Sequence, residues 1–238
     1  MKTGQILINE IFQSISGEAG TKDFPQGCLC TFVRLQGCNL KCSWCDTAQS
    51  QSDHEGVWMQ IAHIIEECKN TKRVLITGGE PLMQEKPLLD LIFNLLINEH
   101  IVQVETNGSI EIPDTPSFGS GISWVLDYKL PSSGMDNKMI SFLSFFEAMI
   151  QHEAIIKFVY DNIDDVQMAF EKMKILKTMY DCKNIFPKFP PFILSPTAKC
   201  SGIYSSIDYN KIINKIFEEG LQEFCMISVQ SHKILDLK

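Results

Sequence analysis

Seven short, mostly apolar runs recur along the chain and constrain its fold more than any other feature of the sequence. In most of them the apolar residues are continuous, whereas strands with one face in water alternate apolar and polar residues. Continuous runs are typical of a parallel sheet that is covered on both faces. They lie at residues 30–35, 73–77, 101–105, 122–127, 154–159, 191–194 and 224–228.

Stretches with apolar residues at a spacing of three to four alternate with these runs and predict amphipathic helices. They lie at residues 59–68, 86–98, 139–151, 164–179 and 209–219. The alternation predicts βαβ units and an α/β fold whose parallel sheet is either open or rolled into a barrel. In both arrangements ligands bind at the carboxyl ends of the strands, so we expect the site in the loops that follow the apolar runs.

Composition limits the partners of the chain. Its 238 residues carry a formal net charge of −8, which argues against a broad phosphate-binding face, so we expect no nucleic acid partner. No segment resembles a signal peptide, and no apolar run is long enough to span a bilayer. We therefore expect a cytoplasmic protein without a membrane partner. In that compartment its nine cysteines are expected to be thiols or metal ligands.

Three of these cysteines lie in the loop that follows the first apolar run. Cys38, Cys42 and Cys45 have the spacing C-x3-C-x2-C. An iron–sulfur cluster that only transfers electrons normally has four cysteine ligands. With three ligands, one iron keeps an open position, which implies that another group binds there.

Two other interpretations of this loop remain open. A structural zinc site needs a fourth ligand, and the nearest candidates, Cys28 and Cys30, have a spacing that fits poorly. A disulfide conflicts with the expected compartment. The spacing favours a [4Fe–4S] cluster.

A second motif, Thr77-Gly78-Gly79-Glu80, follows the second apolar run. A glycine pair after a strand is weak evidence alone. After a three-cysteine loop, it resembles the corresponding motif of the radical S-adenosylmethionine (SAM) superfamily. The resemblance implies that SAM chelates the open iron, and that the reduced cluster cleaves SAM into methionine and a 5′-deoxyadenosyl radical.

Five further segments make the resemblance more specific. They are EIFQSISGE at 10–18, RLQGC at 34–38, CDT at 45–47, ETNG at 105–108 and QSHK at 230–233. Together they resemble the 7-carboxy-7-deazaguanine synthase family of radical SAM lyases, which act in queuosine-type deazapurine biosynthesis. This resemblance covers nearly the whole chain. It implies an incomplete barrel of about six parallel strands and a single domain, 1–238, with an N-terminal extension (1–27) and a barrel core (28–238).

The resemblance also implies roles for individual residues. Those expected to bind substrate are Ile15, Ser16, Gly17, Glu18, Arg34, Thr77 and Lys238. Those expected to bind SAM are Gly78, Gly79, Glu80, Asp127, Tyr128, Lys129, Ser195, Pro196 and Thr197. Thr47 is expected to ligate a Mg²⁺ ion, which prefers oxygen ligands.

Three segments depart from the family pattern. The usual Gln-Gly-Glu-Gly is here SGEA at 16–19, the usual Ser-Pro-Lys is DYK at 127–129, and the usual Gln-Pro is SP at 195–196. These changes fall in the expected pockets and leave the cysteine loop and the glycine pair intact.

The activity implied is conversion of 6-carboxy-5,6,7,8-tetrahydropterin to 7-carboxy-7-deazaguanine with loss of ammonia. A flavodoxin- or ferredoxin-type electron donor and a homodimer are the implied partners. Two alternatives stay open, namely another radical SAM enzyme such as a glycyl-radical activase, and a non-enzymatic metal-binding module.

Overall fold

The computed structural model describes residues 4–113, 121–185, 191–197 and 208–237. In these residues the strands form one nine-stranded sheet with the order β3-β1-β2-β4-β5-β6-β7-β8-β9. The strands are β1 (Gln5–Ile15), β2 (Leu29–Leu35), β3 (Val57–Gln60), β4 (Arg73–Gly78), β5 (Ile101–Thr106), β6 (Ile122–Lys129), β7 (Ile155–Tyr160), β8 (Phe192–Pro196) and β9 (Cys225–Ile227).

All pairings from β2 through β4 to β9 are parallel. Seven described strands therefore form the parallel part of the sheet, and β3 and β9 lie at its two edges, so the sheet is not closed. This confirms the predicted α/β fold with an incomplete barrel. The seven predicted strands match β2 and β4 to β9 within two residues at each end.

Helices follow most of the parallel strands. They are α1 (Ile61–Cys68), α2 (Glu85–Ile97), α3 (Phe142–Gln151), α4 (Ile163–Cys182), α5 (Tyr209–Glu218) and α6 (Ser231–Ile234). The five predicted helices match α1 to α5. The start of α3 was predicted three residues early because its periodicity extends past the cap, where Ser141 accepts a hydrogen bond from the Ser144 amide at 3.0 Å. Within the described residues, no helix is both long and apolar enough to cross a membrane.

Two strands were not predicted. β1 pairs antiparallel with β2 on one side and with β3 on the other. The segment expected as an N-terminal extension thus supplies a strand to the sheet. The division of the chain into an extension and a core stays a prediction.

The two faces of the sheet carry different side chains, because successive residues of a strand point to opposite faces. On β6 and β7, Trp124, Leu126, Ile156 and Phe158 belong to the main hydrophobic core, which the helices cover. Val125 and Ile155 belong to a separate cluster on the other face. Asp127 and Lys157 each lie two residues further along the same strands, so they share the face that carries Val125 and Ile155. On this face, called the inner face, apolar side chains lie toward the amino ends of the strands and charged side chains lie near the carboxyl ends.

Replacing Phe158 by Ala tests whether the helix-covered face of the sheet forms the main core. Phe158 is fully buried, and its ring lies 5.5 Å from that of Tyr128 and 6.3 Å from that of Phe192. We expect Phe158→Ala to lower the free energy of unfolding by about 3–5 kcal/mol, because it leaves a cavity in the core. Urea denaturation measures the change.

Phe217→Ala is the matched control. Phe217 lies on α5 and its side chain is 64% exposed, so its removal should change stability by about 0.5 kcal/mol or less. An equal loss of unfolding free energy in Phe158→Ala and Phe217→Ala would contradict the placement of Phe158 in the core beneath the helices.

Candidate functional site

A cavity of about 200 Å³ lies at the carboxyl ends of the parallel strands. Five adjacent strands each contribute a polar or charged side chain to its wall, namely Arg34 from β2, Thr77 from β4, Glu105 from β5, Asp127 from β6 and Lys157 from β7. This is the edge at which ligands bind in open α/β sheets.

The cysteine loop forms one side of this cavity. The thiols of Cys38, Cys42 and Cys45 all line it and are partly exposed. The Cys38 amide donates to the carbonyl of Gln51 at 3.1 Å, and the Ser43 amide donates to the carbonyl of Ser133 at 3.0 Å. The loop is thus fastened both to the chain that follows it and to the turn after β6.

Metal binding requires ionised thiols, because the thiolate is the form that ligates a metal. Burial raises the pKa of Cys38, although a backbone amide and the amide of Asn107, 3.7 Å away, oppose the shift. Burial also raises the pKa of Cys42, and the Lys129 ammonium opposes it. Ligation by these thiols therefore releases protons and becomes stronger as the pH rises.

Three thiols around a shared cavity fit an iron–sulfur cluster. Across the described ranges, no three His, Cys, Asp or Glu side chains are grouped so as to hold a metal ion. The three cysteines instead border a space that is also open to Arg34, Thr77 and Asp127. The thiols supply the donor type that an iron–sulfur cluster requires, and the guanidinium, hydroxyl and carboxylate beside them are suited to a further bound molecule.

The glycine pair permits the close approach of two loops. A β-carbon on Gly79 would lie 2.1 Å from the carbonyl oxygen of Gly37, and one on Gly78 would lie 2.3 Å from that of Leu35. The Gly78 φ of +148° also disfavours other residues. The Glu80 amide donates to the Gly37 carbonyl at 2.8 Å. The glycines are therefore required to seat the cysteine loop, whatever else they contact.

Glu80 ties the loops after β4 and β5 together. Its buried carboxylate accepts hydrogen bonds from the Leu82 amide at 2.9 Å, the Thr106 hydroxyl at 2.8 Å and the Asn107 amide at 2.6 Å. Burial raises its pKa, although these three donors oppose the shift. In the described residues its side chain does not line the cavity. Its expected contact with SAM stays a prediction.

A chain of charges crosses the floor of the cavity. The Lys157 ammonium lies 2.7 Å from a Glu18 carboxylate oxygen and 3.8 Å from Asp127. Lys129 lies 2.8 Å from the same oxygen of Asp127 and 5.1 Å from the centre of the Trp44 ring. The other oxygen of Asp127, Oδ1, is buried and has no hydrogen-bond partner among the described residues. A buried acceptor of this kind is suited to a donor group of a bound molecule.

These contacts shift the pKa values of the charged groups. Burial lowers the pKa of Lys157, but the carboxylates of Glu18, Asp127 and Glu105 outweigh burial and raise it well above 10.5. Burial raises the pKa of Glu105, and the nearby carboxylates of Glu18 and Asp127 add to the shift. At neutral pH the lysine is therefore a cation.

Many of the residues expected from the sequence meet at the cavity. Those that line it are Glu18, Arg34, Cys38, Cys42, Cys45, Thr47, Thr77, Gly78, Gly79, Asp127, Lys129 and Thr197. Lys238 lies outside the described residues. The roles of all these residues stay predictions.

The side chains of several other expected residues lie apart from the cavity wall in the described part of the chain. They are Ile15, Ser16, Tyr128, Ser195 and Pro196, and Gly17 is likewise absent from the wall. Tyr128 packs in the core, 5.1 Å from the Phe145 ring. Gly17 instead faces His232, whose Nδ1 a β-carbon on Gly17 would approach to 1.7 Å.

Lys157 is the cavity residue that sequence reasoning missed most clearly. A signal was present, because it is a single charge within the apolar run IIKFVY, and a buried charge is costly unless it is paired. Its partners could not be read from the sequence, since Glu18 lies 139 residues away in the chain and Asp127 is its neighbour only through the register of β6 and β7. Glu105 and Asn107 also line the cavity and had been noted only as part of a motif.

Comparisons with known proteins agree with this geometry. Residues 32–114 match the Radical SAM superfamily. The fold is similar to the crystal structure of QueE from Escherichia coli, with a TM-score of 0.61 and 22% identity over 96% of this chain and 95% of that one. The fold and the three-cysteine site define a radical SAM enzyme.

Curated relatives show to which family of this class the chain belongs. A 7-carboxy-7-deazaguanine synthase from Methanospirillum hungatei is 34% identical over 97% of this chain and 85% of the relative. Another from Koribacter versatilis is 32% identical over 96% of each chain. The chain belongs to the 7-carboxy-7-deazaguanine synthase family.

Replacing Gly79 by Ala tests the seating of the cysteine loop. The added methyl would lie 2.1 Å from the Gly37 carbonyl oxygen. The glycine loop or the cysteine loop must therefore shift. We expect the variant to fold and to lose most of the iron that the parent chain binds on anaerobic reconstitution. Iron and sulfide analysis, with circular dichroism for folding, measures this.

Gly220→Ala controls for the loss of a glycine. Apart from its chain neighbours, no heavy atom of the described residues lies within 4 Å of a β-carbon at Gly220, whose φ is +65°. This variant therefore carries backbone strain without a clash. It should bind iron like the parent. Normal iron binding by Gly79→Ala would contradict the packing argument.

The pH dependence of stability tests the Glu18–Lys157 pair. Burial raises the pKa of Glu18, but Lys157 and Gln230 outweigh it and hold the pKa below 4.5. The carboxylate therefore contributes stability above pH 4.5, and this contribution is lost as the pH falls through the lower value in the folded state. We expect Glu18→Gln to be less stable by about 1.5–3 kcal/mol at neutral pH, with the difference shrinking in acid.

Urea midpoints of the metal-free protein across this pH range give the comparison. Glu223→Gln, at an exposed position, should differ from the parent by about 0.5 kcal/mol or less throughout. A Glu18→Gln deficit that stays constant in acid would show that the carboxylate charge is not responsible.

Proposed function

We propose that this chain converts 6-carboxy-5,6,7,8-tetrahydropterin to 7-carboxy-7-deazaguanine with loss of ammonia, in queuosine-type deazapurine biosynthesis. The observation that carries the proposal is the shared cavity: three cluster-type thiols, the Arg34 guanidinium and the Thr47 hydroxyl line the same space. Family membership supports the substrate, because curated relatives across nearly the full length are 7-carboxy-7-deazaguanine synthases.

The cluster and the Mg²⁺ ion would each bind in the cavity through ligands of their own. Cys38, Cys42 and Cys45 would hold the [4Fe–4S] cluster, and Thr47 would ligate Mg²⁺. When the cluster and SAM are bound, they supply a 5′-deoxyadenosyl radical, and the protein holds the reacting groups in place. Mg²⁺ supplies a template and a Lewis acid.

The substrate side of the cavity would be formed by Arg34, Glu18 and Thr77. The planar guanidinium of Arg34 suits a carboxylate, with which it can form two parallel hydrogen bonds. The Glu18 carboxylate is held by Lys157 and by the Gln230 amide, each at 2.7 Å. Because both of its oxygens are fixed, Glu18 can serve as a rigid acceptor for N–H groups of a pterin ring.

The SAM side would be formed by the carboxyl ends of β4 and β6, by Gly79, and by Thr197 after β8. The glycines of the β4 loop leave backbone exposed in the cavity, and Lys129 and Asp127 provide a cation and an unpaired acceptor oxygen. These groups complement the carboxylate and the donor groups of an amino acid or a ribose.

The enzyme class requires a small-molecule substrate and an electron donor. For this chain we infer a flavodoxin- or ferredoxin-type donor, a homodimer, a cytoplasmic location, and no nucleic acid or membrane partner. The net charge of −8 supports the inference about nucleic acid. No observation favours the glycyl-radical activase or the non-enzymatic module.

An anaerobic assay tests the proposal. The reconstituted chain is mixed with dithionite, SAM, Mg²⁺ and 6-carboxytetrahydropterin, and the products are identified by mass spectrometry. We expect 7-carboxy-7-deazaguanine from the parent chain and from Cys182→Ala, an exposed cysteine, and none from Cys42→Ala. Cleavage of SAM to 5′-deoxyadenosine without this product would keep the class and overturn the substrate.

Thr47→Val tests the proposed metal ligand. Valine has nearly the same shape as threonine and lacks the hydroxyl, so the dependence on Mg²⁺ should be lost and product formation should fall by about tenfold or more. Thr178→Val removes an exposed hydroxyl that bonds within α4 and should change neither quantity. A Mg²⁺ titration of the initial rate distinguishes the variants, and an unchanged response in Thr47→Val would rule out this ligand.

A further inference from the structure

Glu10 is the cross-strand neighbour of Arg34. It lies on β1, opposite Arg34 on β2, where a register irregularity interrupts the pairing of the two strands between Ile8 and Glu10. One of its carboxylate oxygens lies 2.9 Å from Arg34 Nε, and the two side chains are only 22% and 14% exposed. The bond is therefore largely shielded from solvent and fixes one edge of the guanidinium.

The adjacent strand also covers the face of the guanidinium. The centre of the Phe12 ring lies 5.7 Å from Arg34 Cζ. Phe12 itself stacks on Phe32, with ring centres 4.9 Å apart and planes at 7°. Glu10 thus holds the Nε edge of the guanidinium, and Phe12 packs against one of its faces.

The remaining edge of Arg34 is the one suited to a ligand. Glu10 bonds Nε, and in the part of the chain that the structure describes Nη1 and Nη2 have no hydrogen-bond partner. These two groups can therefore form a pair of parallel hydrogen bonds with a carboxylate. Arg34 lines the cavity, and within the described residues Glu10 does not. Glu10 is therefore placed to affect a ligand through Arg34.

We propose that Glu10 is a positioning residue that aims the Nη1–Nη2 edge of Arg34 at the carboxylate of the substrate. The inference rests on the proposed function, since it takes a carboxylated pterin as the ligand. A second negative charge near the guanidinium weakens its attraction for an anion, so the benefit of Glu10 lies in orientation. This role would give β1 a function in ligand binding in addition to its pairing with β2 and β3.

Two variants of Glu10 separate orientation from charge. Glu10→Gln keeps an acceptor oxygen for Nε and removes the charge, whereas Glu10→Ala removes both. We expect Glu10→Ala to weaken binding of 6-carboxytetrahydropterin by about tenfold to a hundredfold. Glu10→Gln should bind this ligand at least as tightly as the parent chain.

Equilibrium dialysis with the reconstituted, unreduced protein and Mg²⁺ provides a readout that does not depend on turnover. Tetrahydropterin, which lacks the carboxylate, is the matched ligand, and its binding should be the same in all three proteins. This ligand also reports folding. If Glu10→Ala fails to bind it, Glu10→Val takes its place, because valine favours strands.

The outcomes separate this inference from the proposed function. Weak binding of both ligands by a folded Glu10→Ala or Glu10→Val protein would indicate a structural role and overturn the inference. Equal weakening by Glu10→Gln and Glu10→Ala would also overturn it. If Arg34→Lys weakens binding of the carboxylated ligand and neither Glu10→Ala nor Glu10→Val does, only the inference fails. If Arg34→Lys has no effect, the proposed substrate contact fails as well.

Discussion

The close contact between the cysteine loop and the glycine loop is the interaction on which the site depends. Parallel pairing of β2 and β4 places the ends of these strands side by side, with Leu35 opposite Gly78. Beyond the strands, the Gly79 amide bonds the Leu35 carbonyl at 3.2 Å and the Glu80 amide bonds the Gly37 carbonyl at 2.8 Å. Side chains larger than hydrogen do not fit between these backbones. The sheet and these backbone hydrogen bonds therefore fix the start of the cysteine loop.

The second constraint is electrostatic. Buried charges are costly unless they are paired. Asp127, Lys129 and Lys157 on the sheet form one connected network with Glu18, which lies in the segment between β1 and β2. The pairs link a segment near the N-terminus with β6 and β7, and Gln230 extends the network toward the C-terminus. Glu18 and Gln230, which are far apart in the sequence, thus meet at the cavity. Within the described residues one buried oxygen of Asp127 has no hydrogen-bond partner, which suits it to accept a hydrogen bond from a bound molecule.

The sequence predicted those features that are encoded locally. β2 and β4 to β9 were found because strands buried on both faces are continuously apolar, and the cysteine and glycine motifs are contiguous. β1 and β3 were missed because they are partly exposed: Val57 on β3 is 61% exposed, for example. Pairs such as Glu10–Arg34 and Lys157–Glu18 depend on strand register and on contacts between distant segments. Local patterns carry no information about such pairs.

The central claim is that three thiols hold a cluster with one iron open to SAM, and electron paramagnetic resonance tests it most directly. The reconstituted chain is reduced with dithionite, and its spectrum is recorded before and after SAM is added. The account predicts about four irons per chain and the spectrum of a reduced [4Fe–4S] cluster, with a change in that spectrum when SAM binds the open iron. A chain that binds zinc in place of iron, or a cluster whose spectrum SAM leaves unchanged, would contradict it.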